Sequence, residues 1–358
     1  MTLLIAVMFL LFPGVTAQAV SLEESLDVAA VSDSLPPEAE EYLYDVSPLD
    51  GSAGNVFSRI VDGAQEKFAR AFASALRTAG VLLIVCVLIA LSDTLEVRGN
   101  APEYVVFAGV AAIGATALAD FDSYLNLGLD SLQTMSDYSK VLLPTLSSAA
   151  AITGGAGGAA AKYAATALFM DLLLECAKNI VAPGVCALAA LSVADAAVGN
   201  HTLKAAKKLL KTVCGLLLTG LSMAFTGYLA FSGVIAETAD AMTARMAKTA
   251  VSSALPVVGS ILSDAAGTLA AAAGVLRGSV GLFGMAAVGC VCIGPFASLG
   301  ARYLAFKLSA GLCSCVADKR FTTLVEDLGT CFGMILGING AGALMMFVSI
   351  YSLIRTAL

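Results

Sequence analysis

The chain has 358 residues, 58% of them hydrophobic and only 13% charged, with a mean hydropathy of +0.87 and a formal net charge of −7. Ordinary soluble domains are about 45–50% apolar and about 25% charged, so there is too little polar surface here to cover a water-soluble globule, which sets aside a cytosolic enzyme. The negative charge is local: residues 20–56 carry nine acidic and no basic side chains, leaving 20 basic against 18 acidic over the rest.

Residues 1–19 read as an export signal. An apolar core from Leu3 to Phe12 is broken by Pro13-Gly14 and followed by Ala17-Gln18-Ala19, which suits cleavage after Ala19. The core is too short to span a bilayer, and cleavage would place residue 20 onward outside the cytoplasm. Residues 20–55 combine acids, prolines and turn formers with few periodic apolar positions, which predicts a disordered acidic extracytoplasmic arm. Across 56–78 the residues Val56, Ile60, Ala64, Phe68, Phe72 and Ala75 recur at helical spacing beside Arg59, Glu66, Lys67 and Arg70, the pattern of an amphipathic lead-in helix.

Two apolar stretches in 79–120 are expected to form a first membrane hairpin, and 121–140, with Asp122, Asp130 and Asp137, an extracytoplasmic amphipathic interval. Apolar runs then follow almost without pause through 141–236 and 237–358, read as two membrane units. Together they predict an all-α, polytopic membrane protein of six to ten helices, with the short Ala/Gly/Ser-rich runs open to a re-entrant reading. At an offset of 112 residues, Leu143-Pro144 falls on Leu255-Pro256, Pro183 on Pro295 and Lys207-Lys208 on Lys319-Arg320. That register suggests the second unit repeats the first in parallel, because the positive-inside rule sends both basic doublets to the cytoplasmic side. Lys207, Lys208, Asp318, Lys319 and Arg320 are accordingly candidate cytoplasmic contact residues.

Asp171, Glu175 and Lys178, at i, i+4 and i+7 of an apolar run, predict a polar helix face turned toward the bundle interior. Asp195 and Asp264 belong to the same candidate intramembrane polar set. A structural ion network and a hydrophilic conduit both account for such charges. The four-residue spacings of Gly154 and Gly158, and of Gly329, Gly333 and Gly337, bare one helix face for close approach, within this chain or against a partner.

Chemistry finds little support. His201 is the sole histidine, which excludes HExxH zinc sites, and its basic surroundings predict a solvated loop position. Nine cysteines occur without a CxxC and read as soft packing residues. No glycine run has the GxxxxGK[ST] form, so the chain supplies no ATPase of its own. No cofactor, metal or nucleic-acid partner is expected.

The order of features, with SSALPVVGSILSDAAGTLAAAAGVLRGSVGLFG and RYLAFKLSAGLCSCVADKRFTTLVEDLG in the second unit, resembles the stage III sporulation protein AE family. The resemblance covers roughly residues 56–354 and centres on Leu255-Pro256, Lys307 and Asp318-Lys319-Arg320. It implies a non-enzymatic component of the channel or secretion-like complex between mother cell and forespore, in the mother-cell membrane. It also implies partners from the same sporulation operon, including a cytoplasmic ATPase and ring-forming proteins of the intermembrane space. A stand-alone secondary transporter and a membrane scaffold without a conduit are the competing expectations.

Overall fold

The computed structural model describes residues 28–43, 53–94, 101–119, 121–152, 156–199, 201–254 and 258–355; the side chains of 230–254 and 258–277 are among those not described. The expected signal segment, most of the acidic arm and Gly154 lie outside these residues. Within them every regular element is helical and no strand occurs. Two short helices, α1 (Val28–Asp33) and α2 (Pro37–Leu43), precede α3 (Ala53–Thr94), α4 (Ala101–Leu118), α5 (Phe121–Ala150) and α6 (Ala156–Cys176). A π-turn at Ala177–Val181 leads into α7 (Ala182–Val198), and α8 (His201–Ala254), α9 (Val258–Cys313) and α10 (Lys319–Arg355) complete the chain. Six segments are long and apolar enough to cross a membrane: Asp62–Leu91, Tyr104–Ala150, Gly157–Val198, Thr202–Leu229, Gly278–Cys313 and Lys319–Ile354. The protein is a polytopic helical membrane protein.

Helices α5, α9 and α10 form the centre. Phe332 of α10 meets Phe121 and Tyr124 edge-on and lies beside Phe306 of α9, with ring centroids 5.2–5.8 Å apart. Further along, Leu132 and Met135 of α5 and Leu173 of α6 close around Gly342 of α10. These contacts make α5 parallel to α10; Phe306 at Gly329 with Ile354 at Gly281 sets α9 antiparallel to α10, and Thr166 at Ser349 with Leu173 at Gly342 does the same for α6. Lipid is as apolar as the core, so association rests on close packing and on polar contacts rather than on expulsion of water. Arg302 shows the polar kind: buried, it donates to Tyr124 OH at 3.0 Å and Thr78 Oγ1 at 2.7 Å, with its guanidinium over the Tyr124 ring.

The sequence-based boundaries change in several places. Residues 28–43, expected as disordered arm, form α1 and α2, and bury Val31, Ala39, Tyr42 and Leu43 in the main core. Lys67 ties this segment to α3 by a 3.1 Å ion pair to Glu41. The lead-in helix and the first membrane helix are one continuous α3, because nothing between residues 53 and 94 breaks the helical ladder. Ile89 packs against Gly109, so the hairpin partner is α4. The amphipathic interval at 121–140 is the first half of α5, whose apolar side is core rather than a face laid on the membrane surface. The boundary between the two expected membrane units falls inside the unbroken α8. His201, expected in a loop, is the first residue of α8.

The π-turn has a local cause. Pro183 has no N–H to give, and the turn before it widens, with the Ala182 N–H donating to the Ala177 carbonyl five residues back. Helix α7 ends at Gly199, whose φ of 70° and 2.7 Å bond to the Asp195 carbonyl form a left-handed cap.

Candidate functional site

Two polar constructions stand out on this apolar bundle. The first is a charged outer face on α5 and α6. Asp122, Asn126, Asp130, Gln133, Asp137 and Lys140 recur on one side of α5, opposite its buried Leu125, Leu132, Met135 and Leu142. Next to them lie Asp171, Glu175, Lys178 and Asn179 of α6 and the π-turn. The two rows are knitted together: Lys178 Nζ donates to Gln133 Oε1 at 2.8 Å, Gln133 Nε2 to Asp137 Oδ2 at 2.9 Å, and Ser136 Oγ to Asp171 Oδ1 at 3.4 Å. Lys140 reaches both Asp137 at 3.2 Å and Asp171 at 3.7 Å.

Asp171, Glu175 and Lys178 therefore share a face as their spacing predicts, but that face points outward, not into the bundle. The Asp171 side chain is 60% exposed and that of Asp137 59%. The inward side of α6 and the π-turn is already taken by Met170, Leu173 and Ala177. Five carboxylates against two lysines leave the face with a surplus of three negative charges. Its level is set by Gly342, which neighbours Leu132, Met135 and Leu173 in the middle of the uncharged run 333–354 of α10.

The second construction is a buried ion network where α7, α8 and α10 meet. Lys207 Nζ lies 2.7 Å from Asp195 Oδ2 and 2.7 Å from Asp327 Oδ2, with all three side chains at least nine-tenths buried. Lys211 pairs with the other oxygen of Asp327, and Ser192 Oγ lies 3.3 Å from Asp327 Oδ2. Above the network opens a cavity of about 670 Å³, lined also by Lys204, Lys208, Asp318, Lys319, Arg320 and Thr323.

The candidate residues thus divide. Asp195 is not part of the Asp171 face; it lies at the end of α7 and anchors Lys207. Lys207, expected as a contact residue, is consumed by that anchoring and is only 6% exposed. Lys208, Asp318, Lys319 and Arg320 remain exposed, and both basic doublets lie at the same end of the bundle around the one cavity. Asp264 lies outside the residues whose side chains are described. Asp327 is not among the sequence candidates, because its KR…ED surroundings have the charge pattern of a solvated interfacial helix or turn. The available signal was Lys207 and Lys211 at i and i+4, two cations on one helix face that converge on a common acid.

The glycine stripe also divides. A Cβ at Gly329 would meet Phe306 at 2.9 Å, and one at Gly333 the Tyr303 ring at 2.9 Å, so both seat α10 on α9. Gly337 is exposed, with Leu218 no nearer than 3.8 Å. Gly158 is buried. Among the described residues no group of three His, Cys, Asp or Glu side chains could hold a metal ion.

These features define a multi-pass helical membrane protein carrying polar constructions suited to contacts and ion pairing. The family model for stage III sporulation protein AE matches residues 40–357, and the chain belongs to that family. A stage III sporulation protein AE of Bacillus subtilis (strain 168) is 25% identical over 273 residues, covering 75% of this chain and 68% of the relative. No solved structure matches. The family name carries a role in stage III of sporulation and, with it, other sporulation proteins as partners.

Proposed function

We propose that this protein is a non-enzymatic wall component of a conduit complex joining mother cell and forespore, set in the mother-cell membrane around the forespore, with its N-terminus extracytoplasmic after signal cleavage. The single observation that carries this reading is the exposed, negatively charged face of α5 and α6 beside an uncharged membrane-length run. Charge facing acyl chains costs at least several kcal/mol per group, so this face must meet water or protein. A hydrophilic lumen completed by copies or partners supplies the water. The absence of a nucleotide motif fits with energy coming from a separate cytoplasmic ATPase, and ring-forming proteins of the intermembrane space would continue the path.

The test is the double substitution Asp171→Asn, Glu175→Gln in sporulating cells. Forespore development should fail while the variant still inserts and still co-purifies with other sporulation proteins. Normal development by an inserted, assembled variant would sink the conduit reading in favour of a scaffold. Solute accumulation by the purified protein alone in liposomes would replace it with a stand-alone transporter.

A further inference from the structure

We propose that the cavity between the N-terminal ends of α8 and α10 is a binding site for the phosphate headgroup of an anionic phospholipid. Its lining holds six cations, Lys204, Lys207, Lys208, Lys211, Lys319 and Arg320, against the three carboxylates of Asp195, Asp318 and Asp327. The two deep carboxylates are engaged by Lys207 and Lys211. At the mouth, Lys204, Lys208, Lys319 and Arg320 are exposed, with Asp318 the one carboxylate of the lining beside them. The floor is therefore closed by internal ion pairs, and the surplus of three positive charges is presented at the opening. Arg320 is held there by packing: its guanidinium carbon lies 3.4 Å from where a Cβ on Gly199 would be, so the left-handed glycine cap makes room for it.

Backbone and position add to the charge. Helices α8 and α10 both begin at this cavity, at His201 and Lys319, and the positive ends of their helix dipoles favour phosphate there. A volume of about 670 Å³ is in the range that small-molecule sites occupy. Both helices run from this end as membrane spans. Beyond Lys211 on the same side of α8, a largely apolar groove between α8 and α10 is lined by Leu218, Met334, Leu336, Gly337, Ala341 and Leu344, a path for acyl chains leading away from the cations. Basic pockets between membrane helices at the headgroup level suit doubly anionic lipids. A soluble acidic polypeptide would use the cations but leave that apolar path unoccupied, which is why the lipid is the better occupant. This inference does not depend on the conduit reading.

The test uses the full chain purified and delipidated in a neutral detergent, with bound lipid counted by native mass spectrometry and thermal unfolding followed in parallel. Cardiolipin and phosphatidylglycerol should bind at least tenfold more tightly than phosphatidylcholine and raise the unfolding temperature. The triple variant Lys208→Gln, Lys319→Gln, Arg320→Gln should lose that preference and keep the fold, because it spares Lys207 and Lys211. The matched control Arg59→Gln, Arg70→Gln, Arg77→Gln, exposed on α3, should retain it. If the triple variant fails to fold, Lys208→Gln alone must still weaken anionic lipid severalfold. Equal binding of phosphatidylcholine, or equal loss in the α3 control, overturns the proposal. So does inorganic phosphate at 10 mM, a trial concentration on the order of a weak anion site's Kd, if it stabilises as strongly as the lipid. Polyglutamate that outcompetes phosphatidylglycerol would reassign the site to an acidic protein.

Discussion

The Lys207 ammonium meets the Asp327 carboxylate at 2.7 Å with both side chains more than nine-tenths buried, and this contact joins α8 to α10. The arrangement is a chain, Asp195 to Lys207 to Asp327 to Lys211, in which Asp327 holds two cations and Lys207 two anions. Its members are therefore not equivalent. Asp327→Asn breaks two of the three contacts and takes from Lys211 the carboxylate it pairs with, and removing one partner of a buried pair costs about 3–5 kcal/mol. Asp195→Asn leaves Lys207 still paired and can keep a neutral hydrogen bond, so its cost should be about 1–2 kcal/mol. Thermal or denaturant unfolding in detergent should rank Asp327→Asn well below Asp195→Asn. Equal losses would mean that the chain acts as a set of independent pairs.

The outer face of α5 and α6 should behave in the opposite way. Its ion pairs are exposed, and exposed pairs contribute roughly 0–1 kcal/mol. Lys140→Gln, which breaks the contacts to Asp137 and Asp171, should change stability by less than about 1 kcal/mol. If the face lines a lumen, the same substitution should increase its preference for cations, since it deepens the negative surplus. The measurement is the relative permeability of the reconstituted complex to small cations and anions. A stability loss as large as that of Asp327→Asn would show that Lys140 is buried by the assembled protein.

The glycines of α10 separate internal packing from partner packing. Gly333→Val would drive two methyl groups into the Tyr303 ring, and overpacking of this kind costs about 1–3 kcal/mol. A Cβ at Gly337 meets only Leu218, at an ordinary contact distance of 3.8 Å, so Gly337→Val should leave the unfolding temperature of the isolated chain nearly unchanged. Should Gly337→Val nevertheless abolish co-purification of sporulation partners, the exposed end of the stripe is a docking surface; retention of all partners would confine the stripe's role to the contact with α9.

The helical class and the membrane setting were legible in composition and run length alone, because a bilayer leaves few other ways to satisfy a buried backbone. The Asp171, Glu175 and Lys178 face was legible too, since i, i+4, i+7 spacing forces a shared side. Its direction was not. An apolar helix such as α6 offers no hydrophobic contrast around its circumference, so only Met170 and Leu173 packing inward reveals which side is free. Helix ends were harder still: residues 53–94 contain no breaker strong enough to separate an amphipathic half from a membrane half. The pairing of Lys207 with Asp327 spans 120 residues, and no local pattern carries such a distance. The two basic doublets gave a partial hint, since charge alone sends both to one side of the membrane, and the fold brings both to one end.

The packing of α3 against α9 can be checked with native residues. Cys86 and Cys313 are both buried and free, and their thiols face each other across the two helices closely enough to interact. Ala75 and Ala79 of α3 meet Ala301 and Ala305 of α9 further along the same seam, which fixes the register as parallel. A membrane-permeant oxidant acting on purified protein should therefore join Cys86 to Cys313, and mass spectrometry of the digested protein should recover that crosslinked peptide in preference to any pairing of Cys290 with Cys292. Those two are buried in the core of α9, but a two-residue helical step turns them about 200° apart. Substituting Cys86→Ser should remove the crosslink with little loss of stability, whereas an efficient Cys290–Cys292 bond would require α9 to be unwound at a point where the fold holds it as continuous helix.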